Sequence, residues 1–461
     1  MSPTSSDPET RSPFRRVFLA VVGALVLLCG VFLAIAYLQG PKLSDAQIDL
    51  VSAIAQPDQQ LRLFLNQQID DIDPDQITVT PATAVSVSTS GDLVAVQFDT
   101  PLRYDTEYTV RIDGVRSAAL PQSSTVEHRF TTGAPSPLYL DRGTPNDAIV
   151  RVGLKGSERE VIFETPGIGA FAATGQVLVV STVDAEGISR LMLVSLADGA
   201  VEELRLPEEG TVTDLAVSDA GPIIAFTFTP SAPVDGEVFG GRRVLAMNLE
   251  QGRTLFTVGE LGGEVFPISS WRFVPGARSM VVQGTEDTTF LLDAAPEAVP
   301  VPIGRFTDIL GISRDGSTMS ASDALGGVLV SLEDGETERF EPSLIEGSSP
   351  FLGEVEVLPD GDVIEKAALQ TTEGRFLVVM AVDDGETGRV LYQTPAQAGS
   401  IENFRVSPNG QFVAVEVVPV IADAVSDGYL VDQRSTTITT VIVEIETGLI
   451  VRSVEGFGLL W

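Results

Sequence analysis

The hydrophobic pattern of the chain changes twice along its length. Residues 17–38 form one uncharged apolar run, which at about 1.5 Å per residue predicts a helix about 33 Å long. In residues 43–134, apolar and polar side chains alternate in short stretches, as expected for strands with one buried and one solvated face. Residues 137–461 repeat short apolar strands between glycine turns. We therefore expect one long helix followed by two β-rich regions.

The apolar run at 17–38 is long enough to cross a hydrocarbon core of about 30 Å. Three arginines precede it and acidic sequence follows it, so the positive-inside rule predicts a cytoplasmic tail at 1–16 and an extracytoplasmic remainder. We expect a retained single-pass signal anchor in the cell membrane, with Cys29 as an ordinary apolar residue of its helix. Cleavage after Ala36 and acylation of Cys29 are alternatives, and both would export the same remainder.

The region 43–134 begins with a helical pattern and continues with a period of two. Ser44 and Gln47 have the spacing of a capping box, which predicts a short helix at 44–55. The predicted strands that follow are 61–65, 77–80, 94–98, 108–112 and 126–130. Asp and Gly turn residues separate these stretches, so the region reads as an antiparallel β-sandwich. His128 alternates in phase with apolar neighbours, and we expect it to be packed in the sandwich.

Four segments of this region follow one another in a recognisable order. They are LRLFLNQQI at 61–69, ITVTP at 77–81, TEYTVRI at 106–112 and HRFTT at 128–132. Together they resemble the bacterial Ig-like domain of S-layer-type surface proteins. The resemblance implies a structural spacer or a protein-contact module rather than an enzyme.

The C-terminal region contains an internal repeat. One unit is a strand, a tight turn and a strand, as in FRVSPNGQFVAVE at 404–416, and a second strand–glycine turn–strand unit alternates with it. The aligned turn positions are Gly175, Gly221, Ala277, Gly316, Gly361 and Gly410. They recur every 39 to 56 residues. Four strands in each such period predict a β-propeller.

The two ends of this region complete one further blade. Residues 138–140, 149–154 and 160–163 predict its second, third and fourth strands, and residues 456–461 predict its first. Seven blades of about 46 residues fit the span, and six remain an alternative. The SPNG, LPDG, DG and TG turns resemble those of TolB-type and WD-repeat-like propellers of bacterial envelope proteins. That resemblance implies a protein-binding platform.

Composition narrows the chemistry. The 461 residues include 29 basic and 64 acidic side chains, a formal net charge of −35, with one His and one Cys. This charge disfavours nucleic acid and anionic lipid surfaces as partners. One His and one Cys exclude a multi-His metal centre and an internal disulfide. We expect no cofactor. The acidic run at 70–75 is a candidate for Ca²⁺, although it lacks the spacing of an EF-hand, and a solvated turn is the alternative.

Two long segments between predicted second and third strands are the candidate binding loops. They cover 230–241 and 419–434, and propeller analogy places them on the face that carries the channel entrance. Long loops on a rigid scaffold often carry function. The candidate partner-binding residues are Phe239, Asp427, Tyr429, Asp432 and Arg434.

These features predict a membrane-anchored extracytoplasmic interaction or scaffold protein. The Ig-like domain at 43–134 would hold the propeller at 137–461 away from the membrane, and the propeller would bind a protein or a cell-envelope component. No motif of a nucleophilic hydrolase or a nucleotide site is present, so we expect no enzymatic activity. The alternative is an exported carbohydrate-active enzyme that uses paired carboxylates in the propeller channel.

Overall fold

The structure is a computed structural model that describes residues 13–38, 40–119, 121–233, 238–250, 252–358, 360–371 and 373–461. At 13–16, 32–38, 238, 239 and 396 it describes the backbone alone. The chain divides into two compact units. The first comprises Met1–Ala53, Asp58–Thr100 and Thr106–Thr132, and the second comprises Ile54–Pro57, Pro101–Asp105 and Gly133–Trp461.

The N-terminal part of the chain, up to residue 132, contains two helices, a 3-10 turn and two antiparallel sheets in its described residues. The elements are α1 Pro13–Leu38, β1 Leu43–Gln47, α2 Leu50–Ala55, β2 Gln59–Leu65, a 3-10 helix at Pro74–Gln76, β3 Ile77–Thr80, β4 Val85–Ser90, β5 Leu93–Phe98, β6 Glu107–Arg116 and β7 Ser123–Thr131. The sheet orders are β1-β2-β5-β4 and β3-β6-β7. The five predicted strands correspond to β2, β3, β5, β6 and β7, whereas β1 and β4 were not predicted.

Helix α1 covers the apolar run, and the structure describes its side chains at 17–31. Across the described residues, no helix has the combined length and apolarity that crossing a membrane requires. This finding contradicts the predicted single-pass membrane localisation with the bulk of the chain outside the cell.

The predicted capping box does not start a helix. Residues 43–47 are extended instead, because their backbone pairs with β2, with Gln47 opposite Arg62. The helix begins later, at α2, where the Asp49 carboxylate accepts hydrogen bonds from the amides of Val51 at 3.0 Å and Ser52 at 3.1 Å. Asp49 is therefore the N-cap, and sheet pairing overrides the local signal of residues 44–47.

Aromatic rings from both sheets meet in the core of the first unit. The ring of Phe98 on β5 lies 6.5 Å from that of Tyr108 on β6 and 6.1 Å from that of Phe130 on β7. His128 is half-buried, its ring stacks on Phe130 at 6.1 Å, and burial lowers its pKa. The predicted packing of this histidine is confirmed.

The acidic run at 70–75 ends in a capped turn. The Asp73 amide donates to the Gln76 side chain at 3.0 Å, at the start of the 3-10 helix. In the part of the chain that the structure describes, no group of three or more His, Cys, Asp or Glu side chains is arranged to hold a metal ion. The structure therefore gives no support to the Ca²⁺ candidate.

The second unit is built from antiparallel four-stranded sheets, seven of them in its described residues, and each sheet is one blade. The first strands after the N-terminal unit are β8 Leu138–Asp141, β9 Asp147–Val152 and β10 Arg159–Thr165. Blade I is β11 Ile168–Ala173, β12 Val177–Val183, β13 Ser189–Ser195 and β14 Val201–Leu204. Blade II is β15 Gly210–Val217, β16 Ile223–Pro230, β17 Arg243–Asn248 and β18 Leu255–Thr257, and a small hairpin of β19 Glu260–Leu261 and β20 Glu264–Val265 follows it. Blade III is β21 Ile268–Phe273, β22 Ser279–Gly284, β23 Thr288–Asp293 and β24 Val301–Arg305.

The remaining blades follow in the same order. Blade IV is β25 Asp308–Ile312, β26 Thr318–Asp323, β27 Gly326–Ser331 and β28 Thr337–Phe340, and blade V is β29 Phe351–Val357, β30 Val363–Gln370, β31 Phe376–Asp383 and β32 Gly388–Gln393. Blade VI is β33 Ser400–Val406, β34 Phe412–Val418, β35 Thr439–Glu444 and β36 Ile450–Glu455. Blade VII combines β37 Phe457–Leu460 with β8, β9 and β10. Short 3-10 helices occur at Val238–Gly241, Thr285–Asp287, Pro395–Gln397 and Ile421–Asp423.

The ends of the unit close the ring. Strand β37 pairs antiparallel with β8, with Phe457 opposite Leu140 and Leu460 opposite Leu138. The first strands of neighbouring blades contact one another, as β11 does with β15 and β25 with β29, so the first strands line the central channel. The β-propeller is confirmed with seven blades, and the six-bladed alternative is wrong.

Apolar side chains fill the spaces between neighbouring blades. One buried cluster joins Val179 and Leu191 of blade I to Ile224, Phe226 and Leu245 of blade II. Each blade therefore buries apolar residues against its neighbours on both faces, which explains why its middle strands are continuous apolar runs rather than strictly alternating ones.

Candidate functional site

Both long segments that the sequence singled out connect the second and third strands of a blade. Residues 231–242 join β16 to β17 in blade II, and residues 419–438 join β34 to β35 in blade VI. We call the second segment the long loop. Because the blades repeat one strand order, the two segments leave the same end of their blades.

Phe239 belongs to the segment in blade II. Its backbone lies in the 3-10 helix Val238–Gly241, and its side chain lies outside the described residues, as do residues 234–237 entirely. The structure therefore gives no contact for the Phe239 ring, and its role stays a prediction.

The long loop folds back on itself as an irregular hairpin. The Asp427 amide donates to the Arg434 carbonyl oxygen at 2.9 Å, and the Thr436 amide donates to the Val425 carbonyl oxygen at 2.8 Å. At its tip the Tyr429 amide donates to the Asp427 carboxylate at 3.1 Å. These bonds use backbone groups that an open loop would leave to water, so the segment has a defined conformation.

Arg142, directly after β8 in blade VII, holds the tip of the long loop. Its Nη1 lies 2.5 Å from the Asp427 carboxylate, and only 6% and 8% of the two side chains are exposed. The same Nη1 donates to the Asp432 carbonyl oxygen at 2.8 Å. The guanidinium also lies 4.0 Å from the centre of the Tyr429 ring and 4.8 Å from that of Phe457. An arginine that is ion-paired and stacked in this way is fixed more firmly than a surface ion pair.

Asp147, at the start of β9, accepts a hydrogen bond from the hydroxyl of Tyr429 in the long loop. The Tyr429 hydroxyl lies 2.6 and 2.7 Å from the two carboxylate oxygens, and Asp147 is fully buried. The amides of Gly143 and Ile168 also donate to this carboxylate, at 3.1 and 2.7 Å. Burial raises the pKa of Tyr429, and the bond to Asp147 acts in the same direction, so the tyrosine stays protonated and donates.

Arg434 anchors the returning arm of the long loop. Its Nη2 lies 2.8 Å from the Asp432 carboxylate, and its Nη1 lies 3.9 Å from Glu416 on β34. Its guanidinium also lies 5.1 Å from the centre of the Phe457 ring. The Glu416 side chain is buried and accepts a hydrogen bond from the Gly458 amide at 2.7 Å. Burial raises the pKa of Glu416, and the Gly458 amide and Arg434 oppose that effect.

Four of the five predicted site residues are therefore brought together, but three of them face inward. Asp427, Tyr429 and Arg434 hold the long loop against the ring closure, while the side chain of Asp432 remains 38% exposed. Sequence reasoning missed their partners Arg142, Asp147, Glu416 and Phe457. The Arg142–Asp427 pair spans 285 residues of sequence, and no local pattern signals it.

The long loop exposes three large apolar side chains. Ile421 is 57% exposed, Val425 63% and Leu430 67%. Single exposed apolar side chains are normal, but three on one ordered loop are a candidate contact for a partner. The long loop thus has a polar anchored side, and its exposed side mixes these apolar residues with Asp423, Ser426 and Asp432.

Comparison with known proteins adds little to this picture. No protein-family model matches the chain, including any Ig-like domain model, and no curated protein matches it. Among solved structures, the β-propeller domain of Cps50 (Swd1) from Myceliophteria thermophila has 15% identity over 64% of this chain and 88% of its own, with a TM-score of 0.39. The periplasmic gluconolactonase of Pseudomonas aeruginosa has 14% identity over 70% and 97%, with a TM-score of 0.40.

A third similar structure is a putative 6-phosphogluconolactonase from Bacteroides uniformis. It has 14% identity over 68% of this chain and 94% of its own, with a TM-score of 0.40. Identities and TM-scores this low carry no functional information. The propeller is established by the strand order and the pairing of β37 with β8.

Proposed function

We propose that the propeller is a protein-interaction module and that the long loop is its main binding element. The observation that carries this proposal is an ordered loop, anchored through Arg142 and Asp147, that exposes three large apolar side chains. A loop already held in one conformation loses less conformational entropy on binding than a flexible one, which strengthens the affinity gained by burying its apolar side chains.

The partner we propose is a protein with an apolar patch bordered by basic side chains. Ile421, Val425 and Leu430 supply the apolar contact, and full burial of one such side chain is worth about 1.5–3 kcal/mol. The net charge of −35 attracts a basic surface and repels acidic ones. We therefore expect the association rate to fall as salt is added, because screening weakens the long-range attraction.

The predicted site residues divide into two roles under this proposal. Asp427, Tyr429 and Arg434 position the long loop, and Asp432 is accessible enough to contact the partner at its rim. Phe239 leaves the same end of the propeller and is proposed as a second contact.

The test compares two charge substitutions in blade VI of the full chain. Val425→Asp changes the long loop, whereas Leu449→Asp changes an equally exposed residue in the turn between β35 and β36, at the opposite end of β35. A photoreactive group at Leu430 captures the bound partner, which is identified by mass spectrometry.

We expect the protein with the unmodified long loop and the Leu449→Asp variant to capture the same partner in similar amounts. The Val425→Asp variant should give at least a tenfold lower yield of the cross-linked partner. Equal yields from the two variants, with both folded by circular dichroism, would refute the assignment of the long loop as the binding element.

We further propose that the first unit is an Ig-like spacer. Its two antiparallel sheets, joined through Phe98, Tyr108 and Phe130, support this reading. A charge reversal at the exposed Arg129 should leave partner capture unchanged, and a loss of capture would indicate a contact module instead. The absence of enzymatic activity, and the alternative of a carbohydrate-active enzyme, both stay predictions.

A further inference from the structure

The central channel gathers cationic side chains from four blades. Arg272 lies on β21 of blade III, Arg314 in the turn after β25 of blade IV, Lys366 on β30 of blade V and Arg405 on β33 of blade VI. The whole chain holds 29 basic against 64 acidic side chains. Four cations close together repel one another, so negative groups are needed nearby to compensate their charge.

Contacts that skip a blade place these side chains in one space. Arg272 Nη2 of blade III lies 4.0 Å from Glu354 of blade V, across the position of blade IV. Arg314 of blade IV donates to the Val406 carbonyl oxygen of blade VI. In a ring, side chains of non-neighbouring blades meet only at the central channel. The four cations and the carboxylates beside them, Glu354 and Glu356, are called the channel cluster below.

The carboxylates of the channel cluster neutralise only part of its positive charge. Arg314 Nε lies 2.5 Å from Glu356, which is a close one-to-one pair. Glu354 is shared between Arg272 at 4.0 Å and Lys366 at 3.4 Å. Arg405 has no carboxylate within 4.0 Å among the described residues. Within 4.0 Å among the described residues, two carboxylates thus pair with three of the four cations, and Arg405 has only the more distant Glu416 and Glu356 as counter-charges.

Protein atoms surround the Arg405 guanidinium, yet the residue is exposed to solvent, as expected for a group in a water-filled channel. Enclosure lowers its pKa, Glu416 and Glu356 oppose this effect, and the neighbouring Arg314 and Arg272 add to it. A guanidinium stays charged in proteins and presents its donors as a planar fork. Because no carboxylate of the described residues lies within 4.0 Å of Arg405, this fork can bind a ligand that enters the channel.

We propose that the channel cluster binds the oxyanion group of a small molecule, with Arg405 as the principal donor and Arg272 beside it. Carboxylate and phosphate groups share the chemistry that a guanidinium fork recognises, namely two oxygens placed to accept parallel N–H bonds. The anion would supply the missing counter-charge of the channel cluster. This inference does not rest on the proposed partner-binding role of the long loop, and either one can fail without the other.

The two tryptophans of the chain report on this site. Trp271 directly precedes Arg272, and the Trp461 indole N–H donates to the Arg405 carbonyl oxygen at 3.4 Å. The full chain is titrated with sodium phosphate and, separately, with sodium succinate, while NaCl holds the ionic strength constant. We expect a saturable change in tryptophan fluorescence with at least one of the two anions. The anion with the lower half-saturating concentration shows whether the site prefers phosphate or carboxylate groups.

Substitutions then assign the response to Arg405. Arg405→Gln should raise the half-saturating concentration at least tenfold, and Arg405→Lys should raise it less, because a lysine keeps the charge but loses the fork. Arg375→Gln is the matched control, because Arg375 is an exposed arginine of blade V paired with Glu373. It should leave the titration unchanged.

Two results would overturn the proposal. One is the lack of a saturable fluorescence change with either phosphate or succinate. The other is an unchanged half-saturating concentration in a folded Arg405→Gln variant. Should Arg405→Gln fail to fold, Arg272→Gln replaces it under the same criterion.

Discussion

A buried carboxyl group in blade V makes the stability of this protein depend on pH. Glu365 on β30 is fully buried, lies opposite Ala381 in the register with β31, and neither of its oxygens has a hydrogen-bond partner among the described residues. Burial raises its pKa from 4.5 to about 7, and the nearby Asp383 adds to this effect. Asp383 itself is buried and accepts hydrogen bonds from the amides of Ser343 and Gly385.

The sign of the effect follows from proton binding in the two states. Below about pH 4 both the folded and the unfolded chain hold the Glu365 proton, so the group contributes no difference. Between about pH 4.5 and pH 7 only the folded state holds it, and the free energy of unfolding falls as pH rises. Above pH 7 the full penalty applies, about 3 kcal/mol from a value of 1.36 kcal/mol per pKa unit.

Glu365→Gln removes this titration and should therefore stabilise the protein more at pH 8 than at pH 5. The difference between the two conditions is about 2.5 kcal/mol, because part of the penalty is already present at pH 5. For a unit of this size that corresponds to about 3–4 °C in the melting temperature. Thermal unfolding followed by circular dichroism at pH 5 and pH 8 measures it.

Glu338→Gln on the outer strand β28 is the matched control, because Glu338 is exposed. Its melting temperature should follow that of the unchanged protein at both pH values. If Glu365→Gln shifts the melting temperature equally at pH 5 and pH 8, the reasoning from burial is refuted.

Other perturbations test the anchored loop and the ring closure. Tyr429→Phe removes a hydrogen-bond donor to the buried Asp147 carboxylate and should lower the free energy of unfolding by about 1–3 kcal/mol. The melting temperature should fall and proteolysis of the long loop should become faster. An unchanged rate of proteolysis would contradict the anchoring role of Tyr429. Gly456→Ala should lower the melting temperature, because φ is +132° at this position and a Cβ atom would clash with the Leu140 carbonyl oxygen and lie 2.8 Å from the Tyr139 ring. Gly221→Ala is the control and should leave the melting temperature unchanged, because a Cβ atom there meets open space. Deletion of 457–461 removes β37 and should abolish the cooperative unfolding transition, and a retained sharp transition would show that the ring does not need this closure.

The blades could be recognised from the sequence because their signals are local. Each turn glycine with positive φ, such as Gly316 at +71° and Gly410 at +68°, stands where the repeat places it. The alternation of side chains and the turn chemistry depend on a few neighbouring residues, and the same few recur in each blade. Even the assignment of 456–461 to the first strand of a blade shared by both ends needed only strand patterns and a count.

One local signal of secondary structure pointed the wrong way for an identifiable reason. Ser44 and Gln47 have the spacing of a capping box, but pairing of Leu43 and residues 45–47 with β2 outweighs a helix of a few residues. The inward position of Tyr429 was also not predictable, because an exposed tyrosine and a buried one look alike in a loop sequence. Its orientation depends on Asp147, which lies 282 residues away.

What the sequence determined by itself is the β-propeller and its repeat, because both follow from repeated short-range patterns, whereas the choice of seven blades over six needed the pairing of β37 with β8. What only the tertiary structure decided is which side chains meet, namely Arg142 with Asp427, and Arg272 with Glu354 across the channel. Such contacts form only after the ring closes and brings distant segments together. Their energy depends on distance and burial in three dimensions, which the order of residues along a chain does not specify.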